Sequence, residues 1–399
     1  EVRVPADQPS LQAAVDAAVS GGRICLDPGT LVGTTTVDAK PLWIEGASTV
    51  LDGSGAGPVL AVTGTAGLTL RGVVVTGGDA VQGAGIAVST STVTLEDVSI
   101  EQNTCTGACQ GTGLRTYAST VTLLDVTLAD NTAVGLGNDV VQGAGVHFDA
   151  TVVTADGVTL IGNTADADTW VDGGAWSHRG GTAVVRDLVA TGNRAASGSQ
   201  PRGSALRVTQ ASLDLTGALI TDNTVEGGVN AGGAVALLSS GTTTLRNVLV
   251  AHNQTLAAGQ TSYGSALYVF GHTVHVESST ISGNSTDAAT TWGSAIQLFT
   301  GSALDLRNTD VSGNTGVATN GVIRAEQSTF TATYSNLFPD DVVGATSPVG
   351  TDGNLSVDPG WTVDWQPGPA LVDAGDPAVL DVDGTRADIG HRGGPDAPP

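Results

Sequence analysis

One short phrase recurs along this chain roughly every thirty residues. It consists of an aliphatic residue, two variable positions and an asparagine, usually followed by a small or polar residue. It reads IEQNT, LADNT, LIGNT, ATGNR, ITDNT, VAHNQ, ISGNS and VSGNT, with asparagines at Asn103, Asn131, Asn163, Asn193, Asn223, Asn253, Asn284 and Asn314. The successive spacings are 28, 32, 30, 30, 30, 31 and 30. A second phrase of small residues keeps step with it (GAGIAV, GTGLRT, GAGVHF, GGAWSH, GSALRV, GGAVAL, GSALYV, GSAIQL) and puts an apolar residue at Ile86, Leu114, Val146, Trp176, Leu206, Val235, Leu267 and Ile296. Between the two lie alternating segments such as STVTLEDVSI and GTTTLRNVLV, which read as strands.

A unit this short cannot enclose a core of its own, so neighbouring units must stack and pair like with like. No segment within the period carries a 3.6-residue apolar rhythm, which excludes helical repeats. Propeller blades need about 40–50 residues and four strands. The expectation is all-β: a right-handed parallel β-helix, with residues 1–50 as an N-terminal cap, 51–335 as about ten coils, and 336–399 as an irregular closing segment. The recurring asparagines then fall in one column. Each amide can bond the amides above and below it, a ladder that satisfies polar groups otherwise costly to bury.

The two phrases resemble the GGA[ILV] and F-x-x-N repeats of chlamydial polymorphic outer-membrane proteins, whose passenger domains are β-helical surface adhesins. Here Ile, Val, Leu or Ala stands in place of the Phe. The resemblance implies a β-helical surface protein. At the start, DQPSLQAAVDAAVSGGRICL reads as a helix capped by Ser10, with Leu11, Ala14, Val15 and Ala18 on one face and Gly21-Gly22 ending it. This resembles the cap of pectin-lyase-like β-helices, where a short helix plugs the first coil. The phrases DAGDP and DVDGTRADIG near the end resemble a closing segment of secreted bacterial β-helix proteins.

Charge limits the partners. The 39 acidic side chains outweigh 15 basic ones for a net −24, and Lys40 is the sole lysine. Such a surface repels phosphate backbones and polyuronates, which excludes nucleic acid. No apolar run approaches the ~18 residues of a membrane span. The chain opens at Glu1 without a leader, and a secreted or cell-surface protein is expected once its signal has been removed. Cys105 and Cys109, four residues apart, read as a local disulfide rather than a metal pair, with Cys25 left over. No cofactor is called for, calcium aside: Asp381, Asp383 and Asp388 offer hard oxygen ligands, against which stand turn roles and pairing with Arg386.

If the apolar residue of the second phrase points inward, its successor points outward. One outward column runs Ala87, Arg115, His147, Ser177, Arg207, Ala236, Tyr268 and Gln297; the next includes Tyr117, Asp149, Arg179, Phe270 and Phe299. Trp170, Tyr263 and Trp292 feed the same face. In a chain with only 4% aromatics this concentration reads as a binding stripe for glycan or protein, built from Arg115, Tyr117, His147, Arg179, Arg207, Tyr268, Phe270, Gln297 and Phe299. The alternatives are a tolerated solvent face, a structural subunit of an extracellular assembly, or a polysaccharide-active enzyme using His147 and Asp149. Asn-Thr-Asp at 308–310 is a fragment of a polygalacturonase signature whose other parts do not follow. His178, beside Trp176, is expected inside the core.

Overall fold

The computed structural model describes residues 1–228, 231–257, 259–316 and 319–397. The chain divides into two compact units, residues 1–184 with 193–196 and residues 185–192 with 197 onward. Both are parallel β-helices, and parallel strands joined by crossovers wind right-handed. In the first unit, Leu114 pairs with Ile86 and Val146, Val121 with Val93 and Val153, and Thr132 with Thr104 and Thr164. In the second, Leu206 pairs with Val235, Val235 with Leu267, Leu267 with Ile296 and Ile296 with Ile323. Positions one period apart therefore sit in hydrogen-bonded register, as the repeat requires.

A single coil shows why the sequence does this. Val146–Ile161 is one extended run, bent at Ala150 and Gly157, both left-handed. Val153, Ala155, Val158 and Leu160 alternate inward and are buried, while Val152 and Thr154 face out. The chain then turns at Asn163, runs through Thr164–Ala167 and Trp170–Asp172, and enters the small-residue phrase again.

Asparagines make the corner. In the first unit Asn131 Nδ2 donates to Asn163 Oδ1 at 3.0 Å and to Ile100 O at 2.8 Å, and its backbone N–H donates to the same Oδ1 at 3.2 Å. Asn103 bonds Asn131, and Asn163 bonds Asn193, in the same way. The second unit repeats the pattern from Asn223 through Asn253 and Asn284 to Asn314. Stacking continues past residue 335: Asn336–Phe338 pairs with Asp310–Ser312, and Val342 with Ile323.

At the N-terminus the expected helix is Leu11–Ala17, with Ser10 Oγ accepting from Ala13 N and with Leu11, Ala14 and Val15 buried; it ends at an extended Ala18, three residues before the Gly21-Gly22 stop expected from the sequence. The sole lysine satisfies its other end. Lys40 Nζ donates to the carbonyls of Val15, Asp16 and Ala18, groups a helix terminus leaves without partners. Cys105 and Cys109 form the disulfide, and Cys25 remains a thiol.

The C-terminal residues do more than close an end. They fold back as a strap along the flank of the second unit, over the corner formed by Asn247, Ser278 and Asn308. Asn247 Nδ2 donates to His391 O and Gly393 O, Gly390 N donates to Asn308 O, Asp376 N donates to Asn308 Oδ1, and Arg307 pairs with Asp376. Within the strap, Leu371, Ala387 and Ile389 are buried. Asp310, fully buried, accepts from Ser312 Oγ, from Asn336 Nδ2 at 2.7 Å and from the strap's Trp361 Nε1 at 3.0 Å. His391, 2% exposed, lies 6.0 Å from the Trp361 ring and 3.2 Å from Thr280 Oγ1.

Two predictions follow from these buried polar groups. Asn163→Ala leaves one N–H of the Asn131 amide and the Asn131 backbone N–H without an acceptor, at about 1–3 kcal/mol for each orphaned group. The urea midpoint should fall, whereas the surface change Thr154→Ala should leave it in place. The strap should also carry two opposed pH dependences. Burial raises Asp310 from 3.8 to about 6, so its contribution is present below about 3.8 and lost as pH rises through about 6. Burial lowers His391 from 6.5 to about 4, so its contribution is present above about 6.5 and lost as pH falls through about 4. Relative to wild type, Asp310→Asn should lose stability from pH 6.5 down to 4, and His391→Gln from pH 4 up to 6.5, both read as urea midpoints.

Candidate functional site

The small-residue phrase shapes the surface beside it. Gly264 sits at φ +54, and a Cβ there would lie 2.2 Å from Leu267 O and 2.9 Å from Gln297 N. Only glycine fits so close a return of the chain. The turn brings Thr261–Tyr263 back over Leu267–Phe270, and the outward column is roofed by the residue that precedes the turn. Tyr263 covers Tyr268 with ring centroids 6.1 Å apart. In the first unit Arg115 Nε donates to Gln110 Oε1 at 3.3 Å.

This roof corrects the expectation of an open stripe. His147 is 1% exposed, Arg207 9%, Tyr268 6% and Gln297 0%. These side chains leave the β-helix interior and enter a second, smaller packing layer. The signal in the sequence is the recurring glycine of the small-residue phrase, which permits so close an overlay.

In the second unit the layer is an aromatic cluster. Tyr263 meets Phe299 at 5.0 Å and Trp292 at 5.7 Å, both edge-on; Tyr268 meets Phe299 at 5.4 Å, and Phe299 meets Phe270 at 6.2 Å. Such tilted arrangements suit the ring quadrupoles. Arg202 lies over the Tyr268 ring at 5.5 Å and Arg324 over the Trp292 ring at 4.4 Å. Neither arginine stood out in the sequence: Arg202 sits on the strand Gln200–Arg202, outside the outward columns, and Arg324 continues the first column one rung past Gln297, beyond the last copy of the small-residue phrase. Phe270 is 48% exposed, and Tyr263, Trp292 and Phe299 are half-buried, so the cluster offers ring faces to solvent. Burial raises the phenols of Tyr263 and Tyr268, which keeps both as neutral hydroxyls. Gln297 lies between Tyr268 and Arg324 in register; its Nε2 donates to Leu298 O and its buried Oε1 has no partner among the described residues.

The structure brings Tyr268, Phe270, Gln297 and Phe299 together. Arg207 lies two rungs from Tyr268 in the same column, in register with Ala236. In the first unit, Arg115 and His147 are paired in register, as are Tyr117 and Asp149. Arg115 sits 5.6 Å from the Tyr117 ring, and Tyr117 is 43% exposed. Arg179 is exposed on the run Trp176–Thr191. His147 and Asp149 share a strand, yet one is buried and the other half-exposed, so they do not present one acid–base pair to a bulky substrate. His178 is in the core as expected, 5.6 Å from the Phe148 ring, and burial lowers it to about 4.

The three aspartates near the C-terminus hold turns. Asp381 accepts from Asp388 N and Gly394 N, Asp383 from Thr385 N and Oγ1, and Asp388 from Asp373 N. Arg386 donates to the carbonyls of Ala374 and Gly375 and not to the acids, contrary to the expected pairing. Among the described residues no group of three or more His, Cys, Asp or Glu converges as a cation site. Among the described residues no helix is long and apolar enough to cross a membrane.

No family model and no curated protein matches the chain. Among solved structures it is similar to the pectate lyase Pel9A, with a TM-score of 0.45 and 15% identity over 96% of this chain and 90% of that one.

Proposed function

We propose that the chain is an extracellular recognition scaffold that binds glycan through the aromatic cluster of its second unit. The observation that carries this reading is the cluster itself: Tyr263, Trp292, Phe270 and Phe299 offer ring faces on rigid strands, flanked by the stacked guanidiniums of Arg202 and Arg324. Flat apolar faces with donors at their edges match a pyranose ring, whose C–H face stacks while its hydroxyls bond. Work outside the cytoplasm agrees with the Cys105–Cys109 disulfide. A polysaccharide hydrolase, lyase or epimerase using His147 and Asp149 has less support, because the imidazole is out of substrate's reach.

A panel of neutral and acidic oligosaccharides tests the reading, with retention and product release scored on the same samples. Saturable retention without product is expected. Phe270→Ala and Trp292→Ala should each weaken it about tenfold, or ~1.4 kcal/mol. Retention unchanged in both variants rejects the cluster, and released product makes the chain an enzyme.

A further inference from the structure

A left-handed residue stands six positions before each ladder asparagine. In the second unit these include Gly217, Asn247, Ser278 and Asn308, ahead of Asn223, Asn253, Asn284 and Asn314; in the first unit they include Asp97 and Asp125, ahead of Asn103 and Asn131. The column marks a concave corner where two strand segments meet. In the second unit the corner is a polypeptide receptor: the strap lies along it, held by Asn247 Nδ2, by the side-chain and main-chain oxygens of Asn308, and by the Arg307–Asp376 pair. In the first unit the same corner is an open groove of about 640 Å³, lined by residues that include Arg23, Arg71, Asp97, Asp125 and Thr127. A bulge walls one end: Glu45 pairs with Arg71 and Thr49 with Val73, so residues 46–48 face Gly72 alone. A Cβ on Gly72 would lie 2.4 Å from Gly46 O, which keeps that position glycine.

The chemistry of this groove differs from that of its filled counterpart in one respect. Asn247 and Asn308 can donate and accept; Asp97 and Asp125 can only accept. Arg23 is engaged by Glu45, and Arg71 by Glu96 at 3.4 Å, while Asp97 and Asp125 are exposed and in no ion pair among the described residues. With both guanidiniums already paired to glutamates, the carboxylates of Asp97 and Asp125 leave the groove acidic. We infer that the open corner groove of the first unit docks an extended, arginine- or lysine-bearing polypeptide segment of a partner, laid along Asp97 and Asp125 as the strap is laid along Asn247 and Asn308. The segment's backbone N–H groups and cationic side chains supply the donors that the aspartates need.

The test uses the full chain and three decapeptides, of alternating Gly-Arg, Gly-Ser and Gly-Glu, titrated by fluorescence anisotropy at physiological salt. Saturable binding of the Gly-Arg peptide alone is expected. Asp97→Asn with Asp125→Asn should weaken it at least tenfold, and the left-handed backbone accepts asparagine there, as it does at Asn247 and Asn308. Asp130→Asn with Asp222→Asn removes the same charge from another corner and should change affinity less than twofold. Ala47→Trp, which fills the groove without altering charge, should also abolish binding. Equal loss in both double variants, unchanged binding in Ala47→Trp, or saturation by a chitosan oligomer but by no peptide overturns the inference. None of these results bears on the aromatic cluster, whose oligosaccharide test is separate.

Discussion

The structure depends on the asparagine column. A β-helix must turn the chain at the same place in every coil, and each turn exposes peptide groups to an interior without water. Asn163 answers this with one side chain: its Oδ1 takes both the backbone N–H and the amide of Asn131, and its Nδ2 reaches Leu128 O and the next asparagine. Because every rung is both donor and acceptor, the column works only when the coils are in register. That requirement fixes which valines and leucines face each other, and it makes the ladder a register lock as well as a source of stability.

On this frame a second layer forms through close approach. The tight glycine turns fold each pre-turn segment back over the strand that follows, so the outward column becomes a covered one. Tyr268 is buried for this reason although it points away from the β-helix interior. The same overlay that hides Tyr268 pushes Phe270, Trp292 and Phe299 to the margin, where aromatic faces and guanidiniums meet solvent. Rigid strands hold these groups, so little ordering entropy would be lost when a ligand docks.

The corners have two fates. In the second unit the chain's own strap lies in the corner, tied by a tryptophan and by a buried aspartate and a histidine whose shifts oppose each other. In the first unit the corner carries Asp97 and Asp125 and remains open. One backbone geometry thus serves as an internal anchor in one place and as an acidic receptor in another, and the side chain at the left-handed position decides which donors it can take.

The β-helix, its strand faces, the ladder, the N-terminal helix and the disulfide were all legible in the amino-acid order, because each repeats every thirty residues or lies within a few neighbours. Val153 alternates with Thr154, and Ser10 precedes Leu11, wherever the rest of the chain goes. The covering of His147 and Tyr268, the stacking of Arg324 on Trp292 and the path of the strap were not. Asn247 meets Gly393 across 146 positions, and no period or local propensity encodes such a meeting. Periodicity dictates what can pair with its own copy one turn away; only the folded chain decides which non-repeating side chains are brought against each other, since that depends on where tight turns and a returning tail occupy space.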